Sequence, residues 1–193
     1  MTEDYRLLSG AEVVDLLGEL LERLAGRGVE VETYIVGGAA VAVHLGRDEV
    51  TPDIDGLFQP MDEVLVEARA MAAEHRLDPE WINSRAFSFM EFSPNDDTEA
   101  LHTTINGRPV VVASKRRLLA MKLAASRPKD RTDLNRLIID LDVRTADELV
   151  AIAREAYGEH SMTLPDDPAE VQLIAEEALR RADAWRRRTH TAE

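Results

Sequence analysis

Two aspartates one residue apart, in Thr51-Pro52-Asp53-Ile54-Asp55, carry the first chemistry legible in this chain. In an extended strand, residues two apart point to the same face. The carboxylates of Asp53 and Asp55 would then stand side by side while Ile54 faces the other way. Like charges that close repel unless a cation lies between them. For oxygen donors the natural cation is a hard divalent ion, Mg²⁺ with Mn²⁺ as a substitute. A solvated strand end bearing two acids would need no ion. The neighbours Ile54, Leu57 and Phe58 instead describe a core strand, where an uncompensated acid pair is expensive.

A second feature is Ile35-Val36-Gly37-Gly38-Ala39, a strand that runs into a glycine pair and then a helix. Glycine lets the backbone approach an anion, and the first N–H groups of a helix lack partners. The turn suits a triphosphate, and it would serve equally as a plain strand-to-helix connection. A third feature is the stretch from Leu119 to Asp133. Lys122 interrupts an apolar stripe of Leu118, Leu119, Met121 and Leu123. An ammonium there either snorkels to water or meets an anion. Asp130 and Asp133, three apart, share a helix face. They also suit the positive end of a helix dipole, Asp130 above all. His44, His75, His102, His160 and His190 show no metal-ligand spacing and read as structural, and Trp81 and Trp185 read as packing residues.

The elements that must hold these residues follow from periodicity. Leu16, Leu17, Leu20, Leu21 and Leu24 predict a helix over 11–25, capped by Ser9 and stopped by Gly26 and Gly28. β-Branched residues and Tyr34 predict a strand over 29–36. A short apolar helix over 39–45, ended by Gly46, precedes the aspartate strand over 50–58. An amphipathic helix is expected over 61–75 and a strand over 86–92. Asn106-Gly107, between strands at 101–105 and 109–113, signals a type I′ hairpin. From Ser114 onward the pattern is helical, over 114–126, 129–141, 145–157 and 168–188. The expected fold class is α+β: a mixed sheet with flanking helices over 1–113, then a helical C-terminal region over 114–193.

Composition narrows the function. The chain has 193 residues and no cysteine, so disulfides, thiolate zinc sites and cysteine nucleophiles are excluded. No run of about 18 apolar residues occurs, so no membrane span is expected. The start, MTEDYRLLSG, lacks the regions of a secretory signal, and the expected location is cytoplasmic. The formal net charge of -14 argues against broad nonspecific binding of nucleic acid. The charge is uneven, however. Between Lys115 and Arg131 there are seven basic residues and one acid, Asp130, and Arg186-Arg187-Arg188 forms a second basic run. Such a segment is either a focused anion site or a solvated helix face.

In order, Gly37-Gly38 and then Thr51-x-Asp53-x-Asp55 resemble the signature of the polymerase-β-like nucleotidyltransferase superfamily. The block Lys122-Leu-Ala-Ala-Ser-Arg127-Pro-Lys129-Asp130-x-x-Asp133-Leu resembles the AbiEii-like group within it, which includes the MenT-type toxins. Trp81-Ile-Asn83 and the helix over 145–157 are similar to that group too, and the resemblance spans roughly residues 29–158. It implies a polymerase-β-like core, with Mg²⁺ (or Mn²⁺) on Asp53 and Asp55 as metal ligands. It implies an NTP held by Gly37, Gly38, Thr51, Lys122 and Asp130, and catalytic roles for Asp53, Asp55, Lys122 and Asp133. The implied reaction moves a nucleoside monophosphate from an NTP to an acceptor hydroxyl. For MenT-type relatives that acceptor is the 3′ end of tRNA, and the enzyme is the toxin of a toxin–antitoxin system with a cognate antitoxin protein. The alternatives are an antibiotic or protein nucleotidyltransferase, or a non-catalytic partner-binding module of the same fold. The chain departs from the pattern at Val50, where relatives often carry Arg, and at Pro52, with Arg47 available to substitute. Glu91 and Glu99 are the candidates for a third carboxylate.

Overall fold

The computed structural model of the chain describes Tyr5, residues 7–45 and residues 51–190. The expected helix stop at Gly46 and the positions Arg47 and Val50 lie outside the described residues. The chain divides into two compact units, Met1–Ser88 with Glu99–Ala113, and Phe89–Thr98 with Ser114–Glu193.

The first unit begins with α1 (Gly10–Gly26), where Ser9 and Glu12 form a reciprocal capping box. Each satisfies an otherwise unpaired N–H of the other, which fixes where the helix starts. The face of α1 bearing Val13, Leu16, Leu17, Leu20, Leu21 and Leu24 is buried, as its leucine spacing requires. Then follow β1 (Glu32–Val36), α2 (Gly37–Leu45), β2 (Ile54–Gln59), α3 (Met61–His75), β3 (Ile82–Asn83), β4 (Leu101–Ile105) and β5 (Arg108–Val112). These strands make one mixed sheet in the order β3-β2-β1-β5-β4. β1 runs antiparallel to β2 and parallel to β5, β2 runs parallel to β3, and β4–β5 is an antiparallel hairpin. Asn106 and Gly107 have φ of 49° and 75°, the double positive that a type I′ turn demands. Trp81 is fully buried, and its Nε1 donates to the Ala68 carbonyl at 2.8 Å, so it packs as expected.

Two expectations for this unit are corrected. β2 starts at Ile54, so Asp53 precedes the strand that carries Asp55. Thr51 instead forms an isolated bridge with Leu8, whose backbone exchanges hydrogen bonds of 2.7 and 2.8 Å with it. The strand expected over 86–92 is absent, and Arg85–Phe89 is a 3-10 turn. The backbone N–H groups of Arg85 and Ala86 are directed to the side chains of Asn83 and Asp55, so they are not available to a strand neighbour. Short polar side chains commonly divert the backbone in this way.

The second unit contains α4 (Lys115–Ala125), α5 (Arg131–Asp140), α6 (Ala146–Tyr157) and α7 (Pro168–His190). Ser114 and Thr145 cap α4 and α6. α4 packs on α5 and α6, and α7 on α5 and α6. Residues 89–98 join these helices through Phe92, which meets Tyr157 edge-on at 6.0 Å and lies 4.9 Å beneath the Arg117 guanidinium. Among the described residues, no helix is long and apolar enough to cross a membrane.

Candidate functional site

Antiparallel pairing places Val36, the last residue of β1, opposite Asp55 of β2. The chain then turns at once into α2, with Gly37 at φ 67°. A side chain in that left-handed region costs about 1–2 kcal/mol, which explains a glycine here. A Cβ on Gly37 would lie 3.5 Å from the Asp55 Cβ, and one on Gly38 would lie 3.0 Å from the Thr51 Oγ1. The glycine turn, Thr51 and Asp55 therefore form one cluster. The N-terminus of α2 lies beside it, with the partial positive charge of a helix start. Thr51 is buried, and its hydroxyl donates to the Asp53 carbonyl at 3.0 Å, which ties Asp53 to the same cluster.

Asp53 and Asp55 are both half-buried. Their carboxylates meet the same short segment after β3. Asn83 Nδ2 donates to Asp53 Oδ2 at 3.0 Å, and the Ala86 N–H donates to both oxygens of Asp55, at 3.0 and 3.2 Å. The Arg85 guanidinium lies 3.9 Å from Asp53 and pairs with Glu80. Asn83 and the Ala86 amide were not visible in the sequence, because residues 86–92 read as a strand. Their signal was Asn83-Ser84, a short polar pair fit for a turn.

The site of the divalent cation implied for Asp53 and Asp55 can be tested on these contacts. Two ionised carboxylates offer about eight lone-pair sites between them, and an amide donor at one edge of a carboxylate is compatible with a cation at another. Hard oxygen donors suit Mg²⁺ and Mn²⁺. The residues fit the ion. A different group, Glu19, Glu74 and His75, also brings three donor atoms within 4.8 Å of one another. The Arg23 guanidinium already pairs with both glutamates at 2.5 Å, so that cluster has its cation from the chain.

The remaining expected site residues gather in the second unit. Lys122 is buried, and its Nζ lies 2.9 Å from Asp130 and 2.7 Å from Asp133. Arg127 Nε reaches the other oxygen of Asp130 at 2.6 Å. Burial alone would raise the pKa of Asp130. The charge and hydrogen bond of Lys122, helped by Arg127, outweigh burial and hold it below the ordinary carboxylate value. The stripe-breaking lysine thus meets an anion, and the anion is the aspartate pair of its own motif.

Glu91, a candidate third carboxylate, accepts from Ser161 Oγ and the Met162 N–H at 3.2 Å each, and from Thr163. It organises the 161–163 loop. Glu99, the other candidate, is exposed. The residue opposite Asp55 on β3 is Asn83, an amide without basicity.

Much of the basic segment is neutralised within its own unit. Lys115 pairs with Asp140, Arg116 with Glu155, and Lys122 and Arg127 with the aspartates described above. Arg117 stacks on Phe92 and donates to the carbonyls of Asp96 and Glu155. Lys129 and Arg131 are exposed. In the second basic run, Arg186 pairs with Asp183 at 2.7 Å.

No protein-family model, no curated protein and no solved structure matches the chain.

Proposed function

We propose that this chain is a metal-dependent nucleotidyltransferase of the polymerase-β-like kind. The observation that supports the reading is the meeting of Gly37, Gly38 and Thr51 with Asp55 at the N-terminus of α2, with the Asp53 backbone tied in by the Thr51 hydroxyl. A phosphate-binding turn and a divalent-ion site are each common in isolation. Their juxtaposition suits a nucleoside triphosphate carrying its metal.

In this reading Asp53 and Asp55 would hold the cation, and the Gly37–Gly38 turn and the first amides of α2 would bind the phosphates. A divalent ion bound there supplies stabilisation of charge on the phosphate oxygens. An acceptor hydroxyl oxygen bonds to the α-phosphorus, the bond to the β-phosphate oxygen breaks, pyrophosphate leaves, and the hydroxyl proton passes to solvent. The protein contributes positioning and fixed charge, not a covalent intermediate. The roles of Lys122, Asp130 and Asp133 toward the nucleotide rest on the family resemblance alone.

The acceptor favoured by that resemblance is the 3′ end of tRNA, in the setting of a toxin with its antitoxin. A second reading has a specific observation behind it. The net charge of -14 and the internal pairing of the basic segment suit a cationic acceptor, such as an aminoglycoside or a basic protein. One experiment separates these. The protein is incubated with Mg²⁺, each α-³²P NTP and total tRNA, beside an Asp55→Ala control, and again with aminoglycosides. Label on tRNA that vanishes in the control establishes the first acceptor, and label on the aminoglycoside the second. Label on neither, with no Mg²⁺–NTP binding, leaves a partner-binding module and ends the enzyme reading.

A further inference from the structure

We infer that Asn83 is the positioning residue of the aspartate pair, holding Asp53 directly and Asp55 through the turn it builds. The inference rests on the metal-dependent reading above and adds to it the group that orients both proposed ligands.

Asn83 is 7% exposed and lies on β3 in register with Asp55. Its side chain is fixed by three hydrogen bonds. Nδ2 donates to Asp53 Oδ2 at 3.0 Å and to the Glu80 carbonyl at 3.3 Å, and Oδ1 accepts the Arg85 N–H at 3.0 Å. These partners fix the orientation of the amide. Two are acceptors and one is a donor, so the reversed amide would set its carbonyl against a carboxylate and a carbonyl oxygen. The donor bond holds the Asp53 carboxylate in one orientation while leaving its charge intact. The acceptor bond makes an Asx turn, which carries the next amide, Ala86, to both oxygens of Asp55. One side chain thereby organises two carboxylates by two different bonds.

An aspartate at this position would keep the acceptor that makes the turn and lose the donor that holds Asp53. It would also bring a third negative charge against the pair, tolerable only with a cation present. Alanine would remove both functions. Aspartate therefore serves as the control for added charge, and alanine as the test of positioning.

The test uses the full chain as wild type, Asn83→Ala, Asn83→Asp and Asp55→Ala. Mn²⁺ affinity is read by electron paramagnetic resonance of the free ion, and thermal midpoints are measured with and without Mn²⁺. Loss of an outer partner of a metal ligand typically weakens affinity by about 10–100-fold, and that loss is expected for Asn83→Ala. Asn83→Asp is expected to bind Mn²⁺ more tightly than wild type and to show the larger rise in midpoint on adding it. Variants that lose stability yet bind Mn²⁺ as wild type does would make Asn83 a packing residue and overturn the proposal, with the metal reading intact if Asp55→Ala abolishes binding. A wild type that binds no Mn²⁺ would overturn both. If Asn83→Ala does not fold, Asn83→Ser decides in its place: its hydroxyl can still accept the Arg85 N–H but is too short to hold Asp53, so weaker Mn²⁺ binding is again expected and unchanged binding overturns the proposal.

Discussion

A Cβ built on Gly37 would sit 3.5 Å from the Cβ of Asp55, so the turn into α2 and the aspartate strand approach at van der Waals distance. Gly37 also holds φ at 67°. Gly37→Ala is therefore expected to cost about 1–2 kcal/mol of stability from its backbone conformation. It should also weaken NTP binding, because the first amides of α2 shift with the turn. Gly38 has no such conformational demand, but its Cβ would press on Thr51 Oγ1 at 3.0 Å. Gly38→Ala should cost less stability and still weaken NTP binding. Urea unfolding and titration with a fluorescent NTP analogue check both. Unchanged affinity in both variants would argue against a phosphate role for the turn.

Asp53→Asn and Asp55→Asn keep the shape of the side chains and remove the charge. In the absence of metal each variant is expected to be at least as stable as wild type, because one of two neighbouring like charges is gone. With Mg²⁺ the order should reverse, since only wild type gains from binding the ion. Nucleotidyl transfer should fall by about 100-fold or more, as when other charge-stabilising groups are removed from active sites. Thermal unfolding in chelator and in Mg²⁺, beside transfer assays, tests the set. Wild type that gains no stability from Mg²⁺ would contradict it.

The leucine spacing of α1, the Asn106-Gly107 hairpin and the capped helices α4 and α6 were legible because each is set by local periodicity or a capping side chain. The α+β class followed from them. The turn at Arg85–Phe89 was misread as a strand, because Phe87 and Phe89 supply β propensity with alternation. What overrode propensity was the direction of two amides, Arg85 to Asn83 two residues back and Ala86 to Asp55 about thirty positions away. The aspartates and glycines were found from types and spacing, but their meeting depends on the pairing of Val36 with Asp55. The Glu19–Glu74–His75 group escaped for the same reason, since histidine spacing says nothing about residues on two different helices.

Lys122, Asp130 and Asp133 form a buried ion cluster whose parts depend on one another. Lys122→Met keeps the apolar stem and leaves Asp130 and Asp133 without the ammonium between them. Breaking one side of a buried pair typically costs about 3–5 kcal/mol, and a loss of that size is expected. The pH dependence follows from Asp130, whose pKa is lowered in the folded state. A lowered folded value means that the stabilisation is present above the unfolded value of about 3.9 and is lost as pH falls through the folded one. Wild type should therefore exceed Asp130→Asn in stability at neutral pH, and the gap should close in acid. Urea unfolding of both proteins from about pH 7 to about pH 1 measures it, because the loss begins near the unfolded value and is complete only below the lowered folded one. A gap independent of pH would show that Asp130 stabilises by packing and not by charge.

The basic segment gives the sharpest test of the acceptor. Five of its seven cations, Lys115, Arg116, Arg117, Lys122 and Arg127, have partners inside their own unit. A tRNA held mainly by the exposed Lys129 and Arg131 would displace few counterions, so affinity should fall only gently as salt rises. Arg116 can be released experimentally, because Glu155 is its carboxylate partner. Glu155→Gln should then add one cation to the tRNA-facing set and steepen the log–log salt slope by about 0.9 for duplex RNA contacts treated like B-DNA. Filter binding of labelled tRNA across a KCl series reads the slope in both proteins. An unchanged slope would place tRNA, if it binds at all, away from Arg116. A steep wild-type slope would mean that further cations join Lys129 and Arg131, by the opening of exposed pairs individually worth only about 0–1 kcal/mol or through the exposed Arg187 and Arg188 of the second basic run.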